Sequence, residues 1–351
     1  MKRISFVPLL LAAVFFAACE RVPGFPGYDG PLGTLSPVIT MDGASGTKAA
    51  DSGIDVLGPE AKINKVDLFI FSAEKDGLLA RHFSSSSLSD SQWAAVTLPV
   101  GAYEVYAVVN GSYDYSDVVK KSDLLGQDYD LAAFNGRSAD FLMAGSSTAA
   151  VEITENENTP VAVVVSRLVA RVVVRSVTDN LPEALPWTLE GMYLQNVPAL
   201  VGVDGSVRTT KYYNPDAHVS VNYSDHVDIN VDNAEAPDVT AAQYPVAALY
   251  TYENTSTGKI GTYKDSDTYG SLLQPVLTVY GIVGSFGRKY YNIPLNGSVD
   301  GGLLRNHTYD VNLTINNVGT DTPHEELIEG VAGITVTAAE WEPGDTFNQQ
   351  M

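Results

Sequence analysis

From about residue 61 onward the chain is written in short apolar runs of one kind, and this repetition limits the folds open to it. KVDLFIFS, GAYEVYAVVN, AAVEIT, PVAVVVSRLVARVVVRSV, LEGMYLQNV, PVLTVYGIVG, KYYNIPLN, TYDVNLTI and GITVTAAEW are each rich in Val, Ile, Tyr and Thr, with Gly, Asn, Asp and Pro between them. β-branched and aromatic runs punctuated by turn formers read as strands. Only residues 115–131, and a shorter stretch at 88–94, have helical character. Regularly spaced short strands with so little helix predict an all-β chain built of β-sandwiches.

The most regular stretch covers residues 161–177. Its odd positions include Val165, Arg167, Val169, Arg171, Val173 and Arg175, and its even positions Leu168, Ala170, Val172 and Val174. One apolar face and one face alternating Val with Arg predict a single long strand half covered by a core. The three arginines are expected as solvated or salt-bridged surface charge. The end of this strand, at 177–183, is the expected boundary between an N-terminal sandwich (49–178) and a C-terminal one (179–332). A chain of 351 residues is long enough for two such cores, and 45% hydrophobic residues argue against disorder.

Ahead of the strands lies a different kind of sequence. Lys2 and Arg3, an apolar run at 4–16 and the small pair Ala17-Ala18 form a secretory signal over residues 1–18. The apolar run is too short to span roughly 30 Å of hydrocarbon. Cys19 follows directly and is the one cysteine of the chain, so no internal disulfide is available. Phe16-Ala17-Ala18-Cys19 resembles a bacterial lipobox, with Phe16 where Leu is preferred, which implies that Cys19 carries a lipid and anchors the exported chain to the outer membrane. Residues 20–36 are rich in Gly and Pro and read as a tether. A short strand-like segment at 35–41 comes next, then a small-residue linker, GASGTKAADSG.

The net charge is −21, and −23 once Lys2 and Arg3 leave with the signal. That disfavours nucleic acid and anionic lipid surfaces, both of which need clustered cations; the acidity serves solubility outside the cell. The five histidines, His82, His218, His226, His307 and His324, show no metal-ligand spacing, and HExxH, CxxC, GxSxG and phosphate-loop motifs are absent from the sequence. Asp228-x-Asn230-x-Asp232-Asn233 begins like a calcium loop, but Asn233 stands where Gly is required and Val239 where a bidentate Glu is needed. It reads as an Asx-rich turn. The chain is therefore read as a non-enzyme without cofactor or metal, whose function lies in its surfaces and strand edges.

Its ending is more specific. LLRNHTYDVNLTINNVGTDTP, followed by GITVTAAEW, resembles the ending of the FimA-type fimbrillins of Bacteroidetes, the shaft subunits of type V pili. Gly319, Pro323, Glu340 and Trp341 fill the family's turn and closing positions. KVDLFIFS, LPVGAYEVYAVVNG, FLMAGSS, RLVARVVV and LEGMYLQNV follow in family order, so the resemblance covers essentially the whole chain. It implies two transthyretin-like β-sandwich domains and an assembly mechanism. An Arg- or Lys-specific protease removes the first strand, and the C-terminal strand of another copy or a related pilin fills the vacated groove.

On this resemblance the lipidated propeptide is 19–48, the removable strand carries Leu35, Ile39 and Met41, and the cut follows Lys48. Arg21 and Lys62 are weaker alternatives. The donor segment is 333–351, with Ile334, Val336, Ala338 and Trp341 as inserting groups and Phe347 as a later plug. Equally, the stretch 333–341 closes its own C-terminal sandwich and only the last residues exchange. Adhesion and biofilm formation are implied functions, with no adhesion target legible. The alternative is a tip adhesin or a surface glycan-binding lipoprotein on the same sandwich.

Overall fold

The stretch VDLFIFS alternates two apolar sets, and each set finds its own core. In the structure, a computed structural model, Val66, Leu68 and Ile70 join one cluster while Phe69 and Phe71 join another. The structure describes residues 28–42, 62–131, 141–213, 247–256, 274–295, 302–322 and 332–340. The first half contributes β1 (Leu32–Met41), β2 (Val66–Ser72), β3 (Leu79–Ser85), β4 (Val96–Pro99), β5 (Gly101–Val109), the short helix α1 (Lys121–Leu125), β6 (Tyr129–Asp130), β7 (Met143–Ser146), β8 (Val151–Ile153) and β9 (Asn158–Arg167). The second contributes β10 (Val169–Asp179), β11 (Trp187–Gln195), β12 (Val197–Val201), β13 (Val207–Tyr213), β14 (Ala247–Tyr252), β15 (Val276–Val283), β16 (Arg288–Pro294), β17 (His307–Ile315) and β18 (Ala332–Glu340). The fold is all-β, as the strand spacing predicts.

The first sheet runs β3-β2-β5-β7-β9-β1-β4, with β8 beside β5. It curls so that the β9-β1-β4 arm faces the β3-β2-β5 arm. Leu35, Ile39, Met41, Val163, Val165 and Leu98 from one arm meet Leu68, Ile70, Val105 and Ala107 from the other. In the second half, β14-β10-β17-β18 packs against β11-β15-β16. Val172, Val174, Val311 and Leu313 there meet Leu189, Leu277, Val279 and Ile293. The halves are also stitched by hydrogen bonds, because β6 pairs with β12 through Tyr129–Val201 and Asp130–Leu200.

Several sequence expectations need correction. The stretch 161–177 is two strands, β9 in the first sheet and β10 in the second, and the chain changes sheets at Leu168. The residues expected at the boundary, 177–183, lie where β10 ends. No Gly or Pro marks the switch, and the alternation of side chains runs through it unbroken. Of residues 115–131, only Lys121–Leu125 is helical. Residues 88–94 form turns that carry Trp93 into the first core, where it meets Phe83 edge-on at 6.4 Å. Two of the three arginines are not surface charge: Arg167 is 0% exposed and Arg171 5%, while the Arg175 side chain lies outside the described residues. β10 is covered on both faces, and Arg171 Nε donates to Thr308 Oγ1 at 3.2 Å on the parallel strand β17.

A polar and aromatic layer backs β2. Asp67, fully buried, is paired with Lys65 and His82, each at 3.0 Å. Phe69 stacks on His82 at 4.4 Å and meets Tyr115 edge-on at 5.1 Å. The Tyr115 and Tyr129 hydroxyls share a hydrogen bond of 2.7 Å. Burial pushes both phenols up, and pushes Tyr103 up to about 12. A tyrosine pKa raised in the folded state stabilises fully below pH 10, the unfolded value, and that contribution is lost as pH rises through the folded values. Urea unfolding followed from pH 8 to 12 should therefore show stability falling from about pH 10 upward. Tyrosinate absorbance at 295 nm from this layer should rise together with unfolding; ionisation of all tyrosines near pH 10 in the folded chain would contradict the assignment.

Candidate functional site: the slot filled by the first strand

The segment LGTLSPVITMD forms β1 because its alternate residues have a core to enter. Leu35, Ile39 and Met41 are buried, whereas Val38 and Thr40 face water. Burying each large side chain contributes about 1.5–3 kcal/mol. β1 lies parallel to β9 from Thr34–Asn158 to Met41–Val165, and antiparallel to β4 only from Leu32–Pro99 to Leu35–Val96.

Two residues set those limits. The amides of Thr34 and Asp42 donate to Glu157 and Val165 carbonyls at 2.8 Å, so even-numbered amides face β9. Pro37, which has no N–H, thereby presents its nitrogen to the opposite side, just beyond the last β4 pair, where no donor is needed. At the other end, a Cβ on Gly33 would lie 2.2 Å from the Thr154 carbonyl and 2.6 Å from Ile153 Cγ2. Only glycine lets β1 pass this close to the end of β8. Ser36 fastens the middle, its hydroxyl lying 2.7 Å from both the Ala94 carbonyl and Asn158 Oδ1.

The far end of β1 reaches the junction between the halves. Asn306 Nδ2 donates to Asp42 Oδ2 at 3.3 Å, and Arg167 Nη1 donates to Asn306 Oδ1 at 3.5 Å. Sequence reasoning missed Gly33, Pro37, Asp42, Asn306 and Arg167. A proline inside an apolar strand signals a place without a ladder partner, so Pro37 alone was readable.

Leu35, Ile39 and Met41 thus sit together in the first core. Cys19, Lys48, Trp341 and Phe347 lie outside the described residues, as do Arg21, His218, His226, His324 and the loop at 228–233. Lys62 lies just before β2. β18 contains Ile334, Val336 and Ala338, in register with Leu313, Val311 and Tyr309 of β17, and is the edge strand of its sheet. In this chain the stretch 332–340 pairs along its length with β17. Among the described residues no group of three His, Cys, Asp or Glu side chains is placed to hold a metal. His82 is engaged with Asp67, and the His307 ring lies 2.8 Å from the Arg305 carbonyl.

Leu35, fully buried in β1, tests how firmly the slot is filled. Leu35→Ala should cost about 2–5 kcal/mol in urea unfolding of the uncut chain, while Val38→Ala, on the outer face, should stay within about 0.5 kcal/mol. Equal losses at both positions would mean that β1 does not lie as described.

No protein-family model matches the sequence, and no curated protein matches it. Solved structures do. The chain is similar to a candidate cell adhesion protein from Bacteroides eggerthii, with TM-score 0.61 and 19% identity over 89% of this chain and 97% of that one. It is similar to a fimbrilin (FimA) from Porphyromonas gingivalis, with TM-score 0.61 and 16% identity over 88% and 97%. A C-terminally truncated tip fimbrial protein from Porphyromonas gingivalis matches at TM-score 0.50 and 13% identity over 89% and 100%. Identities this low speak to architecture alone. The architecture is that of the fimbrilins, along nearly the whole chain.

Proposed function

We propose that this chain is a structural subunit of a cell-surface fimbrium, exported as a lipoprotein precursor and polymerised by strand replacement. One observation carries the reading: β1 fills a slot in the first sandwich and is joined to β2 only through residues 42–65, so a single cut there would free it without severing another described element. The linker around Lys48 is rich in small residues, the kind of site where proteases gain access. The likeness to FimA in fold supports the same reading.

The physical logic is mass action. While the linker is whole, β1 is held beside its slot at an effective concentration on the order of millimolar, which no diffusing strand matches. Cleavage after Lys48 turns it into a separate peptide that dilutes away, carrying the lipid on Cys19 with it. The slot then offers apolar pockets and free β9 backbone groups to another copy's C-terminal segment, a β-augmentation. Residues 333–351 are suited to leave home, because among the described residues 332–340 is an edge strand paired with β17 alone. Ile334, Val336, Ala338 and Trp341 are the inserting groups of this proposal, and an Arg- or Lys-specific protease its trigger. The partners are further copies or related pilins, and the mature subunit resides in surface fimbriae.

The similarity to a tip fimbrial protein gives the second reading, a tip subunit that does not extend a shaft. Limited trypsin treatment of the chain from Cys19 onward separates the two. We expect a cut after Lys48, Ala49 as the new first residue, and SDS-resistant ladders. Monomers alone after that cut would remove the shaft reading. Deleting 333–351 should abolish ladders, and deleting only 342–351 tells whether β18 itself or the last residues insert.

A further inference from the structure

β1 is paired along its length on one side only. It follows β9 from Thr34 to Met41, but β4 covers its other side only as far as the Leu35–Val96 pair. Among the described residues no strand pairs with β1 beyond that point on the β4 side. Even-numbered amides face β9, so the backbone groups of Pro37, Ile39 and Met41 line this open lane. Side-chain exposure registers the gap: Leu35, flanked by β4, is 0% exposed, whereas Ile39 and Met41 keep 7% and 6%. The lane also continues past the joint. The amides of Asp42 and Asn306 donate to the Val165 and Val169 carbonyls, each at 2.8 Å, and these carbonyls lie an even number of residues apart, on one edge of the β9–β10 run. β1 and β17, both parallel to that run, therefore lie end to end along it, and Asn306 Nδ2 reaches Asp42 Oδ2 at 3.3 Å across the break. β18 and β4 are both antiparallel to that line, so they share the next lane, and β18 points toward β4.

We infer that residues 341–351 of the same chain continue β18 across the break and pair antiparallel with the open edge of β1, strapping the removable strand in place until it is cut. The register supplies the count. Glu340 stands opposite His307, which puts Trp341 opposite Asn306. Met41 pairs with Val165 and Thr308 with Arg171, so only the places beside Arg167 and Leu168 separate Asp42 from Asn306. Glu342 and Pro343 cross that break. Gly344 then meets Asp42, and Gln350 meets Ser36, next to the Leu35–Val96 pair where β4 begins. Residues 341–351 are therefore long enough to join β18 to β4. Their composition fits the same register. Pro343 falls at the break, where no ladder bond is called for. Phe347 stands opposite Ile39 and shares its core-facing side, a cross-strand apolar pair. A tail held on β1 is withheld from other copies, and loss of β1 releases it. That consequence rests on the strand-replacement reading; the strap itself does not.

The test uses the uncut chain from Cys19, with Cys19→Ser so that introduced thiols stand alone. Val38→Cys and Asn348→Cys fall opposite one another at a non-hydrogen-bonded pair, where Cα atoms stand about 4.5 Å apart and a disulfide closes without strain. Mild oxidation should link this pair within one chain, read by mass and peptide mapping. The control, Ala162→Cys with Asn348→Cys, lies two strand spacings apart, about 9.5 Å, and should link at least about tenfold more slowly. Deleting 341–351 should speed hydrogen exchange at the Ile39 and Met41 amides about tenfold or more, while the Thr34 and Asp42 amides, which face β9, stay unchanged. No disulfide, a disulfide between chains, or one that forms as fast in the control overturns the strap. Unchanged exchange at Ile39 and Met41 after the deletion overturns it too. The oxidised pair, cut after Lys48, should form ladders only once reduced. A cut wild type that forms no ladders defeats strand replacement, and the crosslink still decides the strap.

Discussion

The first sandwich depends on one filled place, the slot that β1 takes between β9 and β4. Leu35, Ile39 and Met41 form one wall of a core that also holds Trp93, Leu98, Val105 and Val163. Without an occupant the β9-β1-β4 arm loses its middle, and β4 loses the strand with which it pairs. The β9 backbone would then face water along the length now covered by β1. An apolar trough beside a bare ladder is the combination that binds a foreign strand, or aggregates when none is supplied. With β1 in place, neither outcome is open to the slot.

The slot is not isolated from the rest of the molecule. β9 continues into β10 with a single residue, Leu168, between them, and the two strands belong to different sheets. Arg167 and Val169 flank that switch, and both hold Asn306, which in turn holds the end of β1. Elsewhere β6 extends the β12-β13 sheet of the second half, and Phe141 packs on Tyr250 with ring centroids 4.6 Å apart. The strand that enters the first sandwich therefore touches the joint between the halves.

What could be read from the residues, and what could not, follows from range. Strand identity is a local property, and KVDLFIFS, GAYEVYAVVN and TYDVNLTI all became strands where their composition put them. The inward set of β1, with Leu35, Ile39 and Met41, was legible for the same reason. The sheet change at Leu168 was not, because alternation persists when a strand passes from one half-covered sheet into another. The arginines of RLVAR misled for a related cause. Period two says which residues share a face, but only a neighbouring layer says whether that face is wet, and β17 comes from more than a hundred residues away. The contacts of Asn306 with Asp42 and with Arg167 join three distant segments, and nothing in their local sequence pairs them.

Charge sharpens the argument for an apolar slot with a polar end. At −21, two copies of this chain repel one another at long range. At physiological salt that repulsion fades beyond about 8 Å, so attraction has to come from contacts made inside that distance. The natural occupant of the slot is built for such contacts: of residues 32–42, only Asp42 is charged. Apolar burial and backbone hydrogen bonds supply attraction that needs no opposite net charge. The single carboxylate stands at the end of the strand, where Asn306 Nδ2 donates to it. Contacts of this kind let an acidic chain hold an uncharged strand without any attraction between net charges.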